Sequence, residues 1–327
     1  MELISDDGGA AMVKYIIKRI RVSILVFIGI TFLIFMLSNL APGGPLDLLT
    51  SEANLSDEAL EELKHSLGLD RPAIVRYFEW LTDFFKGDWG TSYKYGTSIS
   101  LLISQRIGPT LLLMGVSLGV AILTGVPIGI LVSEKPYGML DYTSNTIAFL
   151  GQAIPTFFYS LVLMYVLSIK LKWLPLLGMH TTGVVSIGDT IKHLVMPVMV
   201  LSWRFTATFI RHTRAAMLEV KNSEHVKTAK SKGIPYSAVV IKHVFRNALI
   251  PIVTQIGLQV PLLIGGSVVV EQIFSWPGIG SLLVTSIENR DYPVIMGVSC
   301  LVALAVLVIN LLLDVLYAKL DPRISYK

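Results

Sequence analysis

Residues 292–313 read YPVIMGVSCLVALAVLVINLLL, twenty-two positions without one Asp, Glu, Lys or Arg. A helix of that length rises about 33 Å, enough to cross the roughly 30 Å hydrocarbon layer with its backbone amides satisfied internally. Four more such runs occur, at 22–40, 107–133, 142–169 and 247–270. A sixth, 194–203, is short alone and reaches spanning length if its helix begins near Asp189 and passes Arg204 to Ile210. The expectation is an all-α integral membrane protein with six transmembrane helices. Composition agrees, because 53% of the 327 residues are apolar and 15% charged, against about 25% charged in a soluble domain. A buried soluble core would need a shell of amphipathic helices, which the pattern lacks.

Short loops rich in Lys and Arg stay on the cytoplasmic side. Lys14, Lys18, Arg19 and Arg21 precede the first run, residues 204–246 hold nine basic residues against Glu219 and Glu224, and the tail adds Lys319, Arg323 and Lys327. By contrast, 41–106 holds ten acids and six bases, and 271–291 three acids and one base. Both termini are therefore expected inside, with the first, third and fifth connections outside. The first apolar run is too long for a cleaved signal peptide and more spans follow, so it reads as a true span. Residues 1–11 read as a leading extension or a start-site artefact. The resulting partition is a cytoplasmic segment at 1–19, the first span at 20–40, an extracytoplasmic helical cap at 41–106, and a five-helix core at 107–327 with an inner loop at 215–247. Within the cap, one helix is expected over 56–68, capped by Ser56 and ended by Gly68, and another over 72–86, closed by Gly87. The cap suits contact with a delivery protein or simple packing on the spans.

Several chemistries are missing. No Gly-Lys pair exists, so no phosphate-binding loop of the G-x-x-x-x-G-K-[ST] type can form, and no H-E-x-x-H or G-x-S-x-G motif occurs. The single Cys300 excludes a disulfide framework or a cysteine metal cluster, and the six histidines are scattered. No catalytic or metal-ligating set is expected.

The stretch 227–236, KTAKSKGIPY, interrupts this apolar pattern. A single helix is expected over 215–232, stopped by Gly233 and Pro235, with a second starting at Ser237 or Ala238 and running to Asn247. That makes a charged corner, which reads as an ordinary positive-inside loop or as a docking elbow; its length and its helix-stop-helix pattern favour the elbow. On the fifth span Gln255 and Gln259, four apart, share a face. With Gln152, Asn145 and Asn310 they are candidates for a polar path, interhelical hydrogen bonding being the alternative for each. Arg204, Arg211 and Arg214 share a helix face, suited above all to positive-inside anchoring, and otherwise to steering an anionic terminus or pairing with a neighbour. The pairs Gly115/Gly119 and Gly125/Gly129 suit close helix contact.

Taken in order, several pieces resemble the permease subunits of ABC importers of the dipeptide/oligopeptide/nickel family. They are Leu67-Gly-Leu-Asp70-Arg71-Pro72, Gly87-Asp88-Trp89-Gly90-Thr91-Ser92, 228–233, 243–251, Glu271 through Gly280 with Trp276-Pro277-Gly278, Arg290-Asp291-Tyr292-Pro293, and Asp321-Pro322-Arg323. The wider importer pattern E-A-A-x-x-x-G is kept only at Ala229 and Gly233, since Lys227 and Thr228 stand where an acid and an alanine belong. The resemblance implies a type I importer permease fold in a bacterial or archaeal plasma membrane. It implies coupling to an ATPase through Thr228, Ala229, Lys230, Lys232, Gly233, Ile234, Pro235 and Tyr236. It further implies a second homologous permease, two cytoplasmic ABC ATPases and an extracytoplasmic substrate-binding protein as partners, beside membrane lipid and without nucleic acid. The chain itself would bind no cofactor and be no enzyme, ATP and Mg belonging to the partner ATPases. Di- or oligopeptides are the implied cargo; nickel or a metal chelate is the alternative within the family, and a secondary carrier or channel the alternative outside it.

Overall fold

The computed structural model describes residues 7–40, 59, 61, 62, 65, 70–184 and 186–320, without the side chains of 7–13 and 316–320. The described elements are α1 (Asp7–Leu40), α2 (Ala73–Lys86), α3 (Ile99–Glu134), α4 (Met139–Ala153), α5 (Thr156–Leu163, continued as a π-helix over Met164–Lys170), α6 (Ile187–Lys221), α7 (Glu224–Ser231), α8 (Tyr236–Gly265, π-helical over Val239–Phe245), α9 (Val268–Ile273), α10 (Ile279–Glu288) and α11 (Tyr292–Leu320). Of the helix expected at 56–68 only residues 59, 61, 62 and 65 are described, each of them helical, and the motif pieces at 67–69 and 321–323 lie outside the described residues.

Among the described residues, five helices are long and apolar enough to cross a membrane: α1 from Lys14, α3, α6, α8, and α11 as far as Val315. A sixth span exists only if α4 and α5 count as one, bent by 100°. The span expected at 142–169 is present as this bent pair, and Pro155 is the cause of the break. It lacks an N–H, and it pushes Ile154 into an extended conformation with ψ 126°. The fifth run is also less regular than expected. Its helix starts at Tyr236, is regular over Arg246–Gly257, passes a turn at 258–261, and ends where Gly266 takes φ +64°. α3 begins at Ile99, eight residues before position 107.

The contacts divide the chain into two units, one formed by the described parts of Met1–Gly108 and Gly278–Lys327, the other by Pro109–Pro277. In the first, α1 packs on α11, and Arg19 Nε lies 3.1 Å from an Asp314 carboxylate oxygen. The expected helix at 72–86 is present as α2, closed by Gly87 at φ +90°, and its Tyr77 and Phe84 pack on Phe27 and Phe35 of α1. The Tyr77 and Thr31 hydroxyls are 2.9 Å apart.

In the second unit α6 is the least apolar span, with mean hydropathy 1.3, and the most enclosed, 67% buried over its most apolar stretch. It is the axis of that unit's core. Ser186 starts it by accepting from the Asp189 amide at 3.1 Å, an N-cap that satisfies an otherwise orphaned donor. The small pair Gly125/Gly129 lets α3 touch α6 backbone to backbone. A Cβ on Gly129 would sit 2.6 Å from Thr213 Cβ, and one on Gly125 2.8 Å from Phe209 Cβ. Among the described residues, nothing lies within 4 Å of such a Cβ on Gly115 or Gly119.

Candidate functional site

The elbow is built differently from expectation in one respect. α6 stops at Lys221, Asn222 and Ser223 turn the chain, and α7 covers only Glu224–Ser231. The single helix expected over 215–232 is therefore two. The stop itself matches expectation: Gly233 takes φ +73°, a left-handed conformation that glycine adopts without a Cβ penalty, and Pro235 precedes α8.

α7 has two faces. Val226 and Ala229, three apart, are buried against Ala216 and Met217 of α6 and Val239, Val244, Ala248 and Ile252 of α8. Glu224, His225, Lys227, Thr228, Lys230, Ser231, Lys232 and Gly233 are exposed, as are Pro235 and Tyr236; Ile234 is half-buried. Of the residues the sequence nominates for docking, Ala229 thus packs inward and the others form the outer surface. Lys227 is held to Glu224 at 2.7 Å, leaving Lys230 and Lys232 as the exposed cations around the glycine.

Beneath the elbow lies a pair of charge ties; the sequence offers pairing as one role for Arg214, but names neither its acid nor the second tie. Arg214 donates to Asp141 at 2.6 Å, and Lys221 Nζ stands 3.6 Å from Glu134. Tyr236 donates its hydroxyl proton to the same Glu134 carboxylate, and Lys221 lies over the Tyr236 ring at 5.8 Å. The two acids stand on different helices, Glu134 at the end of α3 and Asp141 in the first turn of α4, and both reach α6, so no spacing along one helix announces the ties. Asp141 is nearly fully buried, and its other donors are the Tyr137 amide at 2.8 Å and Asn145 Nδ2 at 2.5 Å. Asn145, a candidate for the path, is therefore committed to this tie.

The other path candidates fare unequally. Gln255 is half-buried on α8, but Gln259 falls in the turn at 258–261, so the two do not share a continuous helical face. Gln152 is exposed at the end of α4, its amide 3.5 Å from the Thr208 hydroxyl. Asn310 is exposed on α11, in the other unit. Arg204 stands out more than any of these. It is exposed on α6, and among the described residues its guanidinium has no hydrogen bond or ion pair. An arginine at the centre of a lipid-facing helix costs about 2.5–3.5 kcal/mol on insertion scales.

The motif pieces that carry the family resemblance turn out to be mostly structural. Gly87–Ser92 meets Arg290–Pro293 at a buried carboxylate. Asp291 accepts from the Ser92 hydroxyl, from the Tyr93 amide at 3.1 Å and from the Lys94 amide at 3.3 Å. The burial of this loop, with Asp291 close by, raises the Tyr93 phenol pKa above its ordinary value. In the second unit, Trp276 is fully buried and donates to Pro109 O at 2.9 Å. Thr110 donates to buried Glu271 at 2.8 Å, and a Cβ on Gly266 would come within 2.6 Å of that carboxylate.

Comparison with known proteins places this geometry. Residues 125–326 match the family model described as binding-protein-dependent transport system inner membrane component, and residues 12–111 match the model for the N-terminal part of such components. The chain is 44% identical over 317 residues to an oligopeptide transport system permease protein of Bacillus subtilis (strain 168), covering 96% of this chain and 100% of that one. It is 40% identical to a putative peptide permease protein of Brucella suis biovar 1 (strain 1330), covering 96% and 99%. It is 38% identical to a glutathione transport system permease protein of Pectobacterium atrosepticum, covering 97% and 100%.

Proposed function

Because the chain belongs to the binding-protein-dependent transport system inner membrane component family, we propose that it is a membrane-spanning subunit of an ATP-driven peptide importer and forms half of the translocation path. The relatives named for oligopeptide, peptide and glutathione transport support peptides as the cargo. In this reading both termini and the elbow face the cytoplasm, and the chain binds no nucleotide. A second, homologous permease completes the path, two ABC ATPases hold ATP and Mg, and an external binding protein delivers the peptide.

The observation that carries the mechanism is the two-faced α7. Its apolar side is fastened to α6 and α8, and its polar side stays exposed around Gly233. A push on that surface reaches α6 and α8 as rigid bodies, because packed helices shift between discrete arrangements rather than deform. The ties Glu134–Lys221 and Asp141–Arg214 pass the same push to α3 and α4. The bent α4–α5 pair and the turn at 258–261 are the irregular segments that such a movement would re-angle.

The test is reconstitution of the chain in proteoliposomes with and without its ATPase, sister-permease and binding-protein subunits. Peptide uptake is expected only from the full set and only with ATP. In a Cys300→Ser background, Lys232→Cys is expected to cross-link to the ATPase. Uptake by this chain alone, driven by an ion gradient, would reject the reading in favour of a secondary carrier.

A further inference from the structure

Three features that hydrocarbon cannot solvate share one place in the second unit. The first is Arg204, which lies ten residues, about 15 Å along α6, before Arg214 and its pair with Asp141. That distance puts it within the depth of the bilayer. The second is the break between α4 and α5, where Gln152, Ala153 and Pro155 are exposed. Non-helical backbone is tolerated at membrane depth where protein buries it or where it lines a watery cavity. The third is a polar line on α6: Thr208 and Arg211 come after Arg204 at spacings of four and three, so they lie along one helix face. Gln152 Nε2 reaches the Thr208 hydroxyl at 3.5 Å, and Arg204 shares a shallow cleft with Gly151, Ile154, Tyr159 and Trp203. At the wall of the cleft Trp203 packs tightly on Gly151, where a Cβ would lie 2.2 Å from the indole nitrogen, and that nitrogen donates to Ile147 O at 3.2 Å.

The groups gathered there are donors. A guanidinium offers a planar fork that matches a carboxylate, and the Gln152 amide can add a hydrogen bond through the N–H not directed at Thr208, whose hydroxyl donates to Arg204 O at 3.2 Å and accepts from Gln152. A linear peptide presents varied side chains, but its C-terminal carboxylate is constant. We propose that Arg204, flanked by Gln152 and Thr208, is a carboxylate station on the transport path that takes the C-terminus of the moving peptide. This rests on the peptide-permease reading above. Exposure keeps such a site weak, and weak binding is what passage requires, because a tightly held peptide would not leave. Charge pairing with an acid of the sister permease is the competing occupant, and the experiment separates the two.

The test uses the complete importer in proteoliposomes and compares ATP-driven uptake of trialanine with that of its C-terminal amide. Binding-protein affinity for each is measured separately, so that rates are compared at equal occupancy. The native importer is expected to move the free acid about 10-fold faster than the amide, and Arg204→Gln to bring the acid down to the rate of the amide, the usual scale for losing a charged hydrogen bond. Arg204→Lys keeps part of the preference, and Gln152→Leu reduces it about threefold. Equal slowing of both peptides by Arg204→Gln, or no slowing, overturns the proposal. So does an Arg204→Gln subunit that fails to assemble where Arg204→Lys assembles, since that is the mark of a counter-ion in the sister permease. If neither Arg204 variant assembles, an unchanged preference in Gln152→Leu overturns it and a reduced one supports it. Absence of ATP-driven uptake by the native importer would instead fail the permease reading itself.

Discussion

The loop at 87–98 and the elbow at 222–236 look alike on paper, since both are short, polar and broken by a left-handed glycine between helices. They fold to opposite ends. In the first, the strongest acceptor is spent internally: Asp291 is fully buried and takes the Ser92 hydroxyl and two backbone amides. In the second, the buried residues are apolar, Val226 and Ala229, and the polar groups are turned outward. One loop is a clamp and the other a surface. What separates them is where the buried charge sits, a quantity that local composition does not contain.

That contrast can be broken by substitution. The largest effect is expected at the one place where the elbow region behaves like the clamp. Arg214→Ala leaves the Asp141 carboxylate buried without its counter-charge and should destabilise by about 3–5 kcal/mol. Adding Asp141→Asn should recover most of that in thermal unfolding of the detergent-solubilised protein, and a double variant no better than the single would show that the pair does not act as a unit. Next comes Asp291→Ala, which orphans the Ser92 hydroxyl and two amides and should cost about 3 kcal/mol by the same assay. A smaller loss than from any exposed elbow variant would erase the distinction between the two loops.

Gly129→Val forces α3 off α6 at a point where a Cβ has only 2.6 Å, and about 1–3 kcal/mol is expected; Gly115→Val, with open space around it, should be near neutral. Tyr236→Phe removes the hydroxyl that binds Glu134 and should cost about 1 kcal/mol in stability. Its expected signature is a lower yield of transported peptide per ATP in the reconstituted importer. The smallest stability change, within about 0.5 kcal/mol, is expected for Lys230→Ala with Lys232→Ala, because exposed charges contribute little to folding. Their loss should show only as weaker co-purification with the ATPase, and unchanged co-purification would count against the elbow as the docking surface.

Much of this was written in residue order. Charge-free runs located the spans because a bilayer imposes its thickness on any helix that crosses it, and Gly233 with Pro235 located the corner because their backbone limits are local. The helix at 72–86, ended by Gly87, came from the same rules. The failures are as instructive. The break at Ile154–Pro155 lies inside an uncharged run, and Pro127 and Pro251 stay within helices while Pro155 ends one, so proline alone does not distinguish a kink from a bend of 100°. The partners of Glu134 and Asp141 were hidden because the two acids stand on different helices, and only the packing of both against α6 brings them to Lys221 and Arg214.

Hydropathy and backbone chemistry are properties of neighbouring residues, so spans, corners and caps could be read along the chain. Burial of a charge is a property of residues brought together from far apart: Asp291 with Ser92, Asp141 with Arg214, and Arg204 with no partner at all among the described residues. Sequence order therefore says where this chain meets the membrane and where it turns. Which of its charges hold the fold, and which are left to act on something else, depended on the packing of helices in three dimensions, because a charge is neutralised by groups within a few ångströms of it, however distant they are along the chain.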